Sequence, residues 1–312
     1  LAACLELPDL RVSGIVTAPQ TFAISYRPNG VTNVLHADVA ELANSHSIPV
    51  QTLVRSMNEP GLFEAVAALR PDIFLVAGWY HMIPKRWREL APAYGLHASL
   101  LPDYSGGAPL VWAMINGETK TGITLFQMDD GVDSGPIAGQ KEEFINPNDT
   151  IATLYARIED RGVELLRDAL PQLASGTLRL QLQDETKRRI VPQRSPEDGL
   201  IDWTKDASSI DRFIRAQTKP YPGAFTTLDG KPLHIWRAHA VAANDQLKTD
   251  CGCVGRLKES TYTVTCGEGH IAVIEVTYEK KTYTQTQLPE LFRGGGQRLG
   301  PSESCLRSSE PC

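Results

Sequence analysis

The chain has 312 residues, of which 42% are hydrophobic and 22% are charged, as is typical of a globular protein with two domains. The formal net charge is −6, which argues against a generally basic surface for nucleic acid. No apolar run approaches the roughly 18 residues of a membrane-spanning helix, and the first residues lack the basic segment and apolar core of a signal peptide. We therefore expect a cytoplasmic protein.

The first 190 residues alternate between strand-like and helix-like patterns. Because helices between successive strands favour parallel crossovers, this order predicts a doubly wound, mostly parallel α/β sheet of Rossmann-like type. The expected strands are 10–18, 72–79, 94–97 and 121–129, and the expected helices are 38–48, 61–71 and 149–176.

A change of character after residue 177 predicts a second domain. Residues 177–200 are polar and rich in turn formers, which is typical of a linker. A helix is expected over 207–217, with Ile210, Phe213 and Ile214 packed toward the core. An Asp-Gly pair at 229–230 predicts a β-hairpin. The short β segments that follow suggest a small OB-like barrel. We therefore expect a catalytic domain over 1–190, a barrel-like domain over 191–290 and a disordered tail over 291–312.

The cysteines offer one arrangement that resembles a metal site. Cys251, Cys253, Cys266 and His270 are close in sequence and are all zinc-ligand types. The alternation around Cys266 is that of a strand, a turn and a strand, so a small core residue is the favoured interpretation. We expect no metal.

The stretch 95–109, GLHASLLPDYSGGAP, places a histidine at the end of a short strand, before a loop stiffened by proline and glycine. Active sites of open α/β sheets form beyond the carboxyl ends of strands, and histidine exchanges protons near neutral pH. An acid to orient His97 is available as Asp133, in the loop after the strand 121–129. The alternative is a surface histidine and an ordinary turn aspartate. Ser99 as a nucleophile lacks a G-x-S-x-G elbow, and Gly106-Gly107 does not complete a dinucleotide fingerprint.

A longer pattern resembles the folate-dependent formyltransferase family. Residues 97–137, HASLLPDYSGGAPLVWAMINGETKTGITLFQMDDGVDSGPI, are similar to that family's H-x-S-L-L-P, glycine-proline, W-A-x-x-x-G-E, T-G-x-T and D-x-G motifs. Residues 194–225 look like the junction and C-terminal domain of methionyl-tRNA and UDP-amino-arabinose formyltransferases. The resemblance covers about residues 10–285.

The resemblance implies a reaction and a set of site residues. In the family, 10-formyltetrahydrofolate gives its formyl group to a primary amine, and a histidine and an aspartate at the positions of His97 and Asp133 assist catalysis. The implied pterin-binding residues are Gly78, Tyr80, His81, Met82, Ile83, Asp129, Asp130 and Gly131. The implied substrate-binding residues are Ser99, Leu100, Pro102, Gly106, Gly107 and Pro109.

Gly95 departs from the family pattern. The family usually has an asparagine there, two residues before the histidine, and its amide stabilises the developing oxyanion. Loss of one oxyanion donor typically costs about 10²–10³ in rate, or roughly 2.7–4 kcal/mol. Either another donor replaces the amide, or the enzyme is slow or uses a reactive acceptor, or the protein binds folate and an amine without turnover.

The family's opening strand and glycine turn are not found before residues 1–9, so the first strand is expected to be missing. The segment 19–39, which resembles a tRNA-contacting insertion, contains Arg27 as its single Lys or Arg. Since phosphate binding is electrostatic, this favours a small amine, such as a nucleotide-linked amino sugar, over tRNA. Lys187, Arg188 and Arg189 could contact phosphate, but a solvated linker is the favoured interpretation.

Overall fold

The structure, a computed structural model, describes residues 1–8, 10–24, 27–242, 249–258 and 261–300. The chain divides into two compact units. Unit 1 comprises Leu1–Pro109, Lys120–Phe144 and Ala156–Pro192, and unit 2 comprises Leu110–Thr119, Ile145–Tyr155 and Gln193–Cys312.

Helices and strands alternate through the first part of the chain. In order they are α1 (Ala2–Leu5), β1 (Ile15–Thr17), β2 (Thr21–Ile24), β3 (Arg27–Thr32), α2 (Ala40–Ser45), β4 (Val50–Thr52), α3 (Leu62–Ala67), β5 (Phe74–Val76), α4 (Lys85–Leu90), β6 (Ala93–His97), β7 (Ser105–Gly106), α5 (Pro109–Ile115), β8 (Lys120–Gln127), β9 (Ile137–Phe144) and α6 (Ile151–Ala174).

Strands dominate the second part. After a 3₁₀ turn (Glu185–Lys187) come β10 (Ile190–Val191), a second 3₁₀ turn (Pro196–Gly199), α7 (Ala207–Gln217), β11 (Ala224–Leu228), β12 (Lys231–Val241), β13 (Val254–Lys258), β14 (Thr261–Thr265), β15 (His270–Tyr278), β16 (Lys281–Thr284) and α8 (Leu288–Phe292). Over the described ranges, no helix combines the length and the apolar character that crossing a membrane requires.

The main sheet of unit 1 is mixed, which corrects the expectation of a mostly parallel, doubly wound sheet. Its four strands are ordered β5-β6-β8-β9, and only β5 and β6 run parallel. Strand β8 is antiparallel to both β6 and β9. The helical crossover α4 gives the parallel pair, whereas β9 returns directly beside β8. Strands β1 and β4 form a separate parallel pair.

Apolar side chains of α6 and of the strands make the core of unit 1. Ile158, Leu165 and Leu170 of α6 are buried, as are Ile123 and Leu125 of β8. The buried positions of α6 lie along one side of the helix, whereas β8 is buried on both faces from residue 121 to residue 126. This packing fixes β8, whose neighbour β6 ends at His97.

Unit 2 is built on an antiparallel sheet in the order β11-β12-β15-β14-β13, with β16 paired to β15. The expected helix forms as α7, and it buries Ile210 and Ile214 while Phe213 packs partly against the core. Asp206 caps this helix, since its carboxylate accepts from the Ser209 amide at 2.8 Å and the Ser209 hydroxyl at 2.6 Å. The predicted hairpin joins β11 and β12.

The sheet of unit 2 is open in the described residues, which corrects the expected OB-like barrel. Its outer strands β11 and β13 are not paired with each other. Instead, the segment 296–300 hydrogen-bonds to both: the Val254 amide donates to Gln297 O at 2.8 Å, and the Gly300 amide donates to Thr227 O at 2.9 Å. Glycines 294–296, which lead into this segment, all have positive φ angles, a conformation that glycine adopts without strain.

Residues 291–300, which were expected to belong to a disordered tail, pack into unit 2 instead. Phe292 is fully buried and Leu299 is 2% exposed in the core of unit 2. Residues 291–300 are therefore part of the fold, and residues 301–312 lie outside the described ranges.

Candidate active site

His97 and Asp133 lie side by side in unit 1. The His97 Nδ1 atom is 3.5 Å from Asp133 Oδ2, and the two side chains are 10% and 20% exposed. The same Oδ2 accepts a hydrogen bond of 2.8 Å from the Gly106 amide. The loop 98–107 and the loop 128–136 therefore converge on one carboxylate.

The hydrogen bonds of His97 fix which nitrogen is available for proton exchange. Its Nε2 is 2.8 Å from the backbone carbonyl of Tyr104, which only accepts, so Nε2 carries a hydrogen. The Nδ1 atom faces the Asp133 carboxylate. Of the two ring nitrogens, Nδ1 is therefore the one left for a reacting group, beside the Asp133 carboxylate.

The route by which Asp133 reaches His97 differs from the sequence argument. Because β8 is antiparallel to β6, Gln127 near the end of β8 pairs with Tyr94 near the start of β6. The carboxyl ends of these two strands are therefore at opposite edges. The loop 128–136 brings Asp133 back to His97, and Asp133 adopts a positive φ of 51° within it.

A buried threonine holds the loop that follows His97. The Thr124 hydroxyl donates to Ser99 O at 2.7 Å and accepts from the Leu101 amide at 3.1 Å. Ser99 itself is 1% exposed, and its hydroxyl donates to Asp103 O at 2.6 Å. This corrects the expectation that Ser99 contacts a substrate, because a hydroxyl that is buried and used inside the loop does not reach one.

The remaining expected substrate residues are partly exposed along the same loop. They are Leu100, Pro102, Gly106, Gly107 and Pro109. Gly106 has a φ of +99°, and a Cβ there would lie 2.4 Å from Val191 O. Glycine at this position therefore lets the chain segment 190–191 approach the loop closely.

Phe126 occupies the space beside Gly95. The two residues are register partners in β6 and β8, and a Cβ on Gly95 would lie 3.0 Å from Phe126 Cε1. Positions 95 and 97 share one face of β6, because side chains alternate along a strand. An asparagine side chain at position 95 would therefore meet the apolar Phe126 ring, on the same face of the strand as His97.

The end of β5 carries an aromatic cluster where the pterin residues were expected. His81 packs 5.3 Å from the Phe22 ring and 5.4 Å from the Trp79 ring, measured between ring centroids, and Tyr80 packs 5.4 Å from Phe22. Burial lowers the pKa of His81 below its ordinary value of 6.5, so this imidazole is neutral at neutral pH. Trp79 Nε1 and His81 Nε2 are buried without a protein hydrogen-bond partner. Flat apolar surface with unused polar atoms suits an aromatic heterocycle such as a pterin.

The neighbours of this cluster are more open. Gly78 is exposed with a φ of +59°, Met82 is 65% exposed and Ile83 is partly buried. In the second loop, the hydrogen bond from Arg88 lowers the pKa of the exposed Asp130. Asp129 accepts from the Gly131 amide at 3.0 Å, which is a turn-stabilising bond.

The cysteines of the described ranges are of a residue type that can ligate metals. Within the ranges that the structure describes, no group of three or more His, Cys, Asp and Glu side chains is placed to hold a metal ion. Cys266 is buried, and burial raises the pKa of its thiol to about 12.

Sequence analysis missed the residues that support the two loops. Tyr104, whose carbonyl holds His97, has a φ of +54° that no sequence pattern indicated. Gln183 and Arg189 lie in the segment interpreted as a solvated linker, yet they bond to the loops on both sides of the pair. A polar stretch rich in turn formers gives no signal of such contacts.

Comparison with known proteins places this geometry in a family. The family profile described as formyl transferase matches residues 23–170, and that described as formyl transferase, C-terminal domain, matches residues 194–291. A methionyl-tRNA formyltransferase of Myxococcus xanthus (strain DK1622) is 36% identical over 288 residues, covering 90% of this chain and 86% of that protein.

Solved structures share the fold at lower identity. HypX from Aquifex aeolicus in complex with tetrahydrofolic acid has a TM-score of 0.63 and 19% identity over 89% of this chain, which spans 47% of the HypX chain. The N-formyltransferase from Helicobacter canadensis in complex with folinic acid and dTDP-3-aminofucose has a TM-score of 0.60 and 17% identity, covering 88% of this chain and 100% of that one. The two matched domains and the 36% identical relative confirm the resemblance found in the sequence, and the chain belongs to the folate-dependent formyltransferase family as a formyltransferase enzyme.

Proposed function

We propose that this enzyme transfers a formyl group from 10-formyltetrahydrofolate to a primary amine, with His97 and Asp133 as its catalytic residues. The observation that carries the proposal is the convergence of His97 Nδ1 and the Gly106 amide on Asp133 Oδ2. When bound, 10-formyltetrahydrofolate supplies the formyl carbon that the amine attacks; the new C–N bond forms as the bond between that carbon and N10 breaks, and tetrahydrofolate leaves.

His97 moves the proton of the reaction at Nδ1. The 3.5 Å separation from Asp133 is longer than the about 2.7–2.9 Å of a strong charge-assisted hydrogen bond, so Nδ1 remains available to a reacting group. Asp133 stabilises the imidazolium that forms. Because Phe126 fills the place of the family's asparagine, the Nδ1–H of this imidazolium is the donor that we assign to the developing oxyanion.

The aromatic cluster at the end of β5 is the site that we assign to the pterin ring. Trp79, Tyr80 and His81 supply the aromatic rings, and the buried Nε1 of Trp79 and Nε2 of His81 lack a protein hydrogen-bond partner. Gly78, Met82, Ile83 and the loop residues 129–131 border this cluster in our assignment.

We propose a small amine, such as a nucleotide-linked amino sugar, as the acceptor. The support is the net charge of −6 and the single Lys or Arg, Arg27, in the segment 19–39. The side chain of Arg27 lies outside the described residues. A second candidate acceptor is the methionyl group of charged initiator tRNA, because the 36% identical relative is a methionyl-tRNA formyltransferase.

We also propose a cytoplasmic location. The free thiols of Cys4, Cys251, Cys253 and Cys266 support a reducing environment of this kind.

A formylation assay tests both the reaction and the acceptor. The enzyme is incubated with 10-formyltetrahydrofolate labelled in the formyl group and with either charged initiator tRNA or a panel of nucleotide-linked amino sugars. We expect label in an amino sugar, and efficient tRNA formylation at physiological salt would replace the proposed acceptor.

Substitution of His97 separates a catalyst from a binding protein of the same fold. His97→Ala is expected to lower the transfer rate by about 10²–10⁴ while folate affinity measured by calorimetry is retained, since general acid–base catalysis contributes that much. His46→Ala is the control, because His46 is an exposed residue of the same unit. If wild-type protein binds folate and formylates nothing in either assay, it is a non-catalytic homologue.

A further inference from the structure

We propose that residues 181–191, called the strap, position the His97–Asp133 pair, with Gln183 and Arg189 as the positioning residues. The inference rests on the proposed function, since it names what holds the same site in register. All the contacts that carry it lie within unit 1.

One end of the strap hydrogen-bonds to the backbone of the loop 128–136, which carries Asp133. The Gln183 side-chain amide donates to Asp133 O at 2.8 Å and to Gly135 O at 2.7 Å. Just before it, Gln181 exchanges two backbone hydrogen bonds with Ile137, at 2.7 and 2.8 Å. Asp133 has a positive φ of 51°, which is unfavourable for a residue with a side chain and persists where surrounding contacts over-determine it. Gln183 supplies such a contact.

The other end of the strap holds the backbone that orients the histidine. The Arg189 guanidinium donates to Asp103 Oδ1 at 2.6 Å and to Oδ2 at 2.7 Å, and it lies 4.0 Å above the centre of the Tyr104 ring. Tyr104 is 4% exposed, has a positive φ of 54°, and accepts from His97 Nε2 through its carbonyl. A bidentate pair and a stacked ring fix the Asp103-Tyr104 peptide more firmly than a lone charge would.

A short parallel pairing joins the two halves of the site. Strand β10 of the strap pairs with β7: the Ser105 amide donates to Arg189 O, and the Gly107 amide donates to Val191 O, both at 3.0 Å. Between these two residues stands Gly106, whose amide donates to Asp133. In addition, Arg188 donates to Val132 O. The strap thus contacts both loops and determines the distance between their catalytic side chains.

The inference is tested with Arg189→Met and Gln183→Leu, which keep much of the apolar part of the side chain and remove its donors. Displacement of a catalytic group by about 1 Å costs up to about 10²-fold, so we expect kcat to fall about 10–100-fold while KM for folate and for the amine changes less than about threefold. Arg189→Lys and Gln183→Asn are the conservative variants, and we expect each to recover part of kcat.

Arg167→Met is the matched control. Arg167 donates to Glu6 at 2.7 Å in an exposed ion pair of the same unit, with side chains that are 51% and 57% exposed. Its loss should leave kcat unchanged. Equal kcat values for wild type, Arg189→Met and Gln183→Leu would overturn the inference, as would an equal loss in Arg167→Met.

A readout without turnover separates this inference from the proposed function. Nitrogen-15 NMR of histidine-labelled protein, with the His97 signals assigned by their absence in His97→Gln, reports which ring nitrogen carries the proton. In the neutral wild-type ring we expect the hydrogen on Nε2, and in Arg189→Met we expect shifts typical of exchange between both nitrogens. An unchanged Nε2–H tautomer in a folded Arg189→Met protein would refute the positioning role even if no acceptor is ever found.

Discussion

The contact between Gly95 and Phe126 gives the sharpest prediction of this structure. Phe126 is 3% exposed, and a Cβ on Gly95 would lie 3.0 Å from its Cε1, 3.3 Å from its Cζ and 3.5 Å from Met128 Cγ. A methyl group at the first of these distances forces the ring to move. Overpacking of a core typically costs about 1–3 kcal/mol, so Gly95→Ala should lower the free energy of unfolding by that amount.

Thermal and urea-induced unfolding measure this cost. For a unit of this size each kcal/mol shifts Tm by about 2–4 °C, so Gly95→Ala should lower the Tm of its unit by about 2–12 °C. Phe126→Leu removes the ring atoms that meet the new methyl group. In that background the cost of Gly95→Ala should be smaller by about 0.5–3 kcal/mol, the usual coupling between residues in contact.

The contact between Gly95 and Phe126 also determines whether an asparagine introduced at position 95 can act as an oxyanion donor. The Gly95→Asn variant is expected to remain slow, because the Phe126 ring blocks the new amide. The double variant Gly95→Asn with Phe126→Leu should transfer formyl groups faster, by up to the factor of about 10²–10³ that an oxyanion donor contributes to the rate. The assay is single-turnover formyl transfer with labelled donor. Strictly additive unfolding energies, or a gain in rate with Gly95→Asn alone, would show that Phe126 does not fill this space.

Two further predictions concern unit 2. Hydrogen bonds from the Ser209 hydroxyl and amide lower the pKa of Asp206, so its capping contribution is complete above the ordinary carboxyl pKa of 3.8 and is lost as the pH falls through the lower folded-state value. Asp206→Ala should therefore cost about 1 kcal/mol in urea unfolding at pH 7 and progressively less in more acidic buffers, and an undiminished cost in acid would contradict the capping role. Burial raises the pKa of the Cys266 thiol to about 12, so iodoacetamide at pH 8 should modify Cys251 and Cys253 in the folded protein before Cys266. Mass spectrometry of the peptides measures the order, and early labelling of Cys266 would show that it is accessible.

Local patterns in the sequence predicted many of the elements, and they named candidate site residues that stay a prediction. The helix α7, the hairpin at Asp229-Gly230 and the strand ending at His97 all depend on residues close in sequence, whose periodicity and turn chemistry act over short distances. The motif resemblance also named His97 and Asp133, which the fold brings to 3.5 Å.

These local patterns did not predict the direction of the strands or whether the second sheet closes. Strand β8 is buried over residues 121–126, and such a run reads the same whether the strand is parallel or antiparallel to β6, so the mixed sheet depended on how the chain returns after α5. The open sheet of unit 2 likewise depends on residues 296–300, whose bonds to Val254 and Thr227 join segments far apart in sequence.

The amino-acid sequence by itself indicated the candidate chemistry of this protein, namely the residues proposed to carry a proton, and it determined the family to which the chain belongs. Only the tertiary structure decided what surrounds that chemistry, namely the Phe126 ring beside Gly95 and the strap residues Gln183 and Arg189 on both loops. The physical reason is that these contacts join segments from separate parts of the chain. Their energies depend on distances that folding sets and that no local pattern of residues encodes.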